Sequence, residues 1–164
     1  MTFVSRLTRL SILGLMVSYL VLSGCGGEPK PPGLPKLYPV SLKFIQDGAP
    51  CADASVVLIP EDGSKWPTGG ATNADGVAVL RTYGKYPGAP VGKYKVMVSK
   101  QEVEPLGTTS EPSPSPKVNV YHLINPEYSS IVNTPFKIEV VAGKNEFELF
   151  DLGKKVRIRV DHGF

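Results

Sequence analysis

The feature that most constrains this chain is its punctuation. Short apolar runs recur, each closed by glycine, proline, asparagine or aspartate, and no segment carries the three-to-four-residue period of a long amphipathic helix. Val40, Leu42 and Phe44 alternate with Ser41 and Lys43. Tyr94, Val96 and Val98 alternate with Lys93, Lys95 and Met97, and Phe136, Ile138 and Val140 with Lys137 and Glu139. A period of two places one set of side chains on each face of a strand, so these segments are half-buried strands. Ser55 to Ile59 is apolar on both parities and reads as a central strand covered on both faces. Asp47-Gly48, Glu61-Asp62-Gly63-Ser64 and Ala142-Gly143-Lys144-Asn145 are turns, and Asn73-Ala74-Asp75-Gly76 reads as a hairpin joining a short strand near Gly70–Thr72 to Val77–Leu80. Phe147 and Leu149 alternate with Glu146 and Glu148. The expectation is an all-β domain of about seven strands, folded as a two-sheet β-sandwich.

The first 37 residues do not fit that pattern. Arg6 and Arg9 precede thirteen uncharged residues, Leu10 to Leu22. That run suits a signal peptide and is short for a bilayer span, which takes about 20 residues; an uncleaved anchor is the alternative reading. Leu22-Ser23-Gly24-Cys25 resembles the bacterial lipobox, in which the cysteine thiol receives a diacylglycerol and the chain is cut before it. Cysteine alone offers a thiolate nucleophile, and small residues admit the peptidase. Residues 1–24 are therefore expected to be a lipoprotein signal peptide and Cys25 the lipidated residue. Two or three acyl chains, at about 0.8 kcal/mol per buried CH₂, make an anchor effectively permanent. Residues 25–37 follow as a tether, with four prolines and three glycines between Gly26 and Lys36. Such a segment cannot build a core and reads as a partly extended spacer holding the domain off the bilayer. The expected location is the cell membrane or outer membrane, facing the periplasm or exterior. Gly26 lacks the aspartate that retains some lipoproteins at the inner membrane, and so leans outward.

The charge balance excludes a nucleic-acid footprint: 18 basic side chains face 15 acidic ones, and loss of residues 1–24 removes two of the basic ones. Removing Cys25 as a thioether leaves Cys51 without a disulfide partner. It is either a reactive thiol, an intermolecular link, or a small buried residue, and the last is favoured.

The runs DGAPCADASVVLIPEDG, GGATNADGVAVL, APVGKYKVMVSK and PFKIEVVAGKNEFELFDL, in that order, resemble the carboxypeptidase regulatory-like domain over residues 38–152. Asp47, Gly48 and Pro50 match the first turn of that family, Ala54 the opening of its second strand, Asp75-Gly76 the turn before its fourth and Gly92-Lys93-Tyr94 the entry to its fifth. The resemblance implies a prealbumin-like, Greek-key sandwich with an accessory, non-catalytic role. It brings no catalytic residue, cofactor or metal, and it supports the buried reading of Cys51. Two segments depart from the family. Residues 101–135 form a long connection with six prolines, in which Tyr121 to Ile124 could dock on the sandwich and leave 110–117 mobile. Residues 153–164 carry Val156, Ile158 and Val160 alternating with Lys155, Arg157 and Arg159. That is an added strand with a basic face, which either meets acidic glycan or lipid head groups or simply guards an edge.

An enzyme reading finds little. His122 and His162 lie in the long connection and the tail, no G-x-S-x-G elbow is present, and no paired His/Cys spacing suits zinc. Asn73-Ala74-Asp75-Gly76 resembles the start of a calcium loop but lacks the later acidic positions. An isopeptide between Lys43 and Asn145 is less favoured than a solvent-facing Lys43. The residues singled out for ligand contact are Trp66, Tyr83 and Tyr86, which sit in or beside expected loops and could form an aromatic platform for a sugar or a protein. The plainer reading is that Trp66 caps the core. The sequence thus points to a lipid-anchored envelope protein carrying a non-catalytic module for protein or glycan interaction. A purely structural lipoprotein without a ligand is the second reading, and an envelope enzyme the third.

Overall fold

A computed structural model describes residues 30–105, 118–146 and 149–160. Residues 30–34 belong to the N-terminal unit, and the β-rich unit starts at Pro35. Eight strands of three or more residues are seen among the described residues: β1 (Val40–Gln46), β2 (Ser55–Pro60), β3 (Thr68–Ala71), β4 (Val77–Val79), β5 (Gly92–Ser99), β6 (Gln101–Pro105), β7 (Val118–His122) and β8 (Lys137–Val140). No α-helix occurs among the described residues, and one 3-10 turn spans Pro126–Ser129.

Two sheets face a common core. The larger runs β8-β5-β2-β3 and continues through the short strands Arg81–Thr82 and Tyr86–Pro87, all antiparallel. The smaller is built on β1, which pairs antiparallel with β4 and with Ala49–Pro50, and parallel with Asn145–Glu146 and Phe150–Asp151. Alternation decides which side chains enter the core. Val40, Leu42 and Phe44 of β1 are buried, as are Val56 and Leu58 of β2, Tyr94, Val96 and Val98 of β5, and Ile138 and Val140 of β8. Tyr38, Tyr128, Phe136 and Phe150 close the margin of this core, with Phe150 stacked 5.3 Å from Phe44. The strands expected at Val40–Phe44, Tyr94–Val98 and Phe136–Val140 are therefore present, with the expected faces inward.

Four differences from the sequence reading have physical causes. First, β2 is central in its sheet but is covered on one face only: Val57 is 36% exposed. Second, the Asn73–Gly76 turn is a corner between sheets. Its incoming strand β3 pairs with β2 in one sheet, while its outgoing strand β4 pairs with β1 in the other. Local hairpin bonding is confined to the turn itself, with the Thr72–Ala78 bridge, the Asn73 N–H to Val77 C=O bond and the Gly76 N–H to Asn73 C=O bond. Third, Leu152 rather than Leu149 reaches the core; Leu149 is exposed, and Phe147 and Glu148 lie outside the described residues. Parallel pairing of Phe150 with Phe44 fixes that register, and the Leu152 N–H to Ile45 C=O bond extends it. Fourth, residues 101–135 are not a plain connection. They form the β6–β7 hairpin, and Leu123 and Ile124 then turn into the protein interior while the 3-10 turn leads back to β8. Residues 110–117, expected to be mobile, lie outside the described residues.

The C-terminal segment joins this hairpin as a third strand. Ile158–Arg159 pairs with Tyr121–His122, and backbone bonds from Val156 to Leu123 and from Val160 to Val120 lengthen the contact. Arg157 is clamped: its guanidinium lies 3.7 Å from the Tyr121 ring, donates from Nε to Glu102 at 3.2 Å and pairs with Glu104. The hydrogen bond to Glu102 leads the effects that raise its pKa. The expected basic face is thus partly neutralised by its own hairpin.

Candidate functional site

β3 reads Thr68-Gly69-Gly70-Ala71. Thr68 faces inward, where its hydroxyl lies 3.0 Å from that of Thr82 and 3.3 Å from the Trp66 carbonyl, and Thr82 donates onward to the Gly88 carbonyl at 2.8 Å. The next residue must face outward. That residue is Gly69, and a Cβ built there would stand 2.7 Å from the Val56 carbonyl oxygen, a distance that backbone cannot concede cheaply. β3 lies so close to β2 that Gly69 leaves no side chain on the outer face. Cross-strand pairing then puts Val57 on one side of the gap and Arg81 on the other.

The result is a shallow open groove of about 570 Å³ on the outer face of the larger sheet. Its floor is the Gly69 backbone, its sides are Val57 and Arg81, and Ala71 lies toward one end. Pro67 and Tyr83 wall the other end. Tyr83 is 45% exposed and in the left-handed backbone region, φ 54°. Trp66 meets its ring edge-on, with centroids 5.9 Å apart, and the Tyr83 hydroxyl donates to the Lys65 carbonyl at 3.4 Å. The Lys65 ammonium sits 5.7 Å from the Trp66 ring centroid. Arg81 lends one N–H to the Lys85 carbonyl at 3.4 Å.

Two of the three aromatic residues singled out in the sequence are therefore brought together. Trp66 is half-buried against Tyr83 and is not one of the rings that close the core, which sets aside its reading as a core cap. Tyr86 lies on the next strand, paired with Thr82, and is not part of the groove lining. Arg81, Val57 and Gly69 were not singled out in the sequence. The signal that could have found them is the small-residue run of β3 between two ordinary strands.

The remaining chemical groups are spoken for or dispersed. Cys51 is buried and has no disulfide, and burial pushes its thiol pKa up, which disfavours the thiolate. The side-chain oxygen of Asn73 accepts the N–H groups of Asp75 and Val77, so the resemblance to a calcium loop is a turn bonded to itself. Asn145 is buried, with its amide donating to the Val141, Gly143 and Pro39 carbonyls, whereas Lys43 is exposed opposite Val77. His122 has Gln101 and Ile158 as its cross-strand neighbours, neither an acid nor a nucleophile. Among the described residues no cluster of three His, Cys, Asp or Glu could hold a metal ion. Cys25 and His162 lie outside the described residues.

The fold and site define an all-β protein with an open, aromatic-walled sheet face. No family model, curated protein or solved structure matches the chain.

Proposed function

We propose that this is a lipid-anchored cell-envelope protein whose prealbumin-like, carboxypeptidase regulatory-like sandwich serves as a non-catalytic binding module for a glycan or a protein. The observation that carries the binding reading is Tyr83, which walls one end of the groove and is braced from behind it by the Trp66 ring, itself outside the groove lining. An exposed aromatic held in a turn by its neighbour, as Tyr83 is by Trp66, supplies contact area at small entropic cost, since it has only two side-chain torsions to freeze. The anchoring reading rests on the h-region, the Leu22–Cys25 lipobox resemblance and the Pro/Gly tether that follows.

Both parts are tested with the full chain expressed in a bacterial host. Cys25→Ser should abolish incorporation of a fatty-acid analogue; continued labelling refutes the anchor. Envelope components retained by the wild-type protein should be lost on Trp66→Ala and on Tyr83→Ala, at an unchanged thermal midpoint. Retention by both variants refutes the groove as the binding surface. The purely structural reading gains if the wild-type protein retains nothing.

A further inference from the structure

We infer that the groove over Gly69 is a subsite for a carboxylated sugar ring of an acidic polysaccharide. This deepens, and rests on, the reading of the Trp66–Tyr83 face as a binding surface. The argument starts from shape. β2 and the Arg81–Thr82 strand are the two neighbours of β3, so they stand roughly 9–10 Å apart at the usual strand spacing. With Gly69 between them the trough is one strand deep in side chains and wide enough for a single ring. Its volume of about 570 Å³ falls within the range of small-ligand sites.

Chemistry narrows the occupant. The floor is backbone whose polar groups belong to the sheet ladder, and Val57, Pro67 and Ala71 add apolar surface. The Tyr83 ring, braced by Trp66, offers a face or an edge to C–H groups. A pyranose has an apolar C–H face of this kind and a polar rim that stays in water over an open trough. Charge supplies the rest. Among the described residues Arg81 is the only charged one lining the groove, and no aspartate or glutamate among them lines it. A guanidinium has five N–H donors; one goes to the Lys85 carbonyl, and the others have no partner among the described residues. Its planar fork matches a carboxylate. Lys65, held beside the Trp66 ring, adds positive potential at the aromatic end. A ring with one apolar face and one carboxylate satisfies floor, wall and cation together. A neutral sugar leaves Arg81 unused, and a phosphate without a ring leaves Tyr83 unused.

The test is direct binding of the full chain in detergent micelles to oligogalacturonate, and to the same oligosaccharide with its carboxylates methyl-esterified. The acidic form should bind, and esterification should weaken binding about tenfold or more, the usual scale of a lost charge-assisted hydrogen bond. Arg81→Gln should weaken the acidic form to the same extent and change the weak binding of the ester far less. Binding should fall as salt rises from about 0.05 to 0.5 M, where screening shortens the reach of Arg81 and Lys65. Equal binding of acid and ester, lost on Tyr83→Ala, overturns the carboxylate inference while leaving a glycan module standing. No binding of either form, with a protein retained through Trp66, overturns the inference in favour of a protein-binding face. Failure of every ligand would remove the binding reading as well. Arg81 and Tyr83 are surface residues, and the thermal midpoint of each variant checks that the fold is kept.

Discussion

Gly76 is where the fold can be broken most informatively, because Gly48 provides a matched control. Both have φ near +72°, a region that costs an L-residue roughly 1–2 kcal/mol. Adding a methyl also stiffens the unfolded chain, which returns about 0.4–1 kcal/mol. Gly48→Ala therefore costs about 1 kcal/mol, since a Cβ at Gly48 meets nothing within 4 Å. Gly76 differs in its surroundings. A Cβ there would stand 2.3 Å from the Phe44 carbonyl oxygen and 3.0 Å from the Cys51 nitrogen. Those atoms are bonded to each other at 3.0 Å, and the Phe44 N–H is bonded to the Gly76 carbonyl at 2.8 Å. To make room, β1 must part from the turn, and both bonds lengthen or break. Each contributes about 1 kcal/mol net, and more when a buried partner is left unsatisfied. Gly76→Ala should thus cost about 3–5 kcal/mol. At about 4 °C per kcal/mol for a domain of this size, the thermal midpoint should fall by more than about 10 °C for Gly76→Ala and by about 4 °C for Gly48→Ala. Calorimetry or circular dichroism at 218 nm reads both. Equal shifts for the two variants would refute the claim that backbone approach, and not φ alone, requires glycine at position 76.

Two further outcomes follow from buried titratable groups. Tyr94 is buried, donates from its hydroxyl to the Pro90 carbonyl at 2.8 Å, and has its pKa pushed up to about 12, first by burial and then by Asp62. Its raised folded pKa means that it stabilises the fold fully below its unfolded pKa near 10, and that this contribution, about 2–3 kcal/mol, is lost as pH rises from about 10 through 12. Urea midpoints should therefore fall less steeply over that range for Tyr94→Phe than for the wild type, and parallel profiles would contradict the burial argument. Cys51 should react with a thiol reagent at pH 8 only at the rate of opening of the fold, because burial withholds both the sulfur and its thiolate. Immediate modification without denaturant would place the thiol at the surface.

What was legible in the sequence was whatever depends on one strand at a time. β1, β5 and β8 were readable because alternation in Val40–Phe44, Tyr94–Val98 and Phe136–Val140 is a local property of a pleated chain with one wet face. The Asp47-Gly48 turn was readable for the same reason: both residues take positive φ, as a two-residue hairpin loop demands. Trp66 and Tyr83 could be named as surface aromatics from their loop positions, but not as partners. Sixteen residues lie between them in the chain, and their contact exists because Thr68 and Thr82 pair across adjacent strands.

The sequence by itself determined that the described unit is β-structured, which faces of its best strands are apolar, and where the chain turns. It also holds the whole argument for a lipidated Cys25, which is chemistry of a local motif. Only the tertiary structure decided that the Asn73–Gly76 turn carries the chain from one sheet to the other, that Phe150 pairs parallel with Phe44 and so brings Leu152 inward, and that Gly69 opens a trough between Val57 and Arg81. The reason is the same in each case. Alternation specifies a side chain's face, but the neighbour on that face is chosen by which strands lie side by side, and that choice is made by packing between segments distant along the chain.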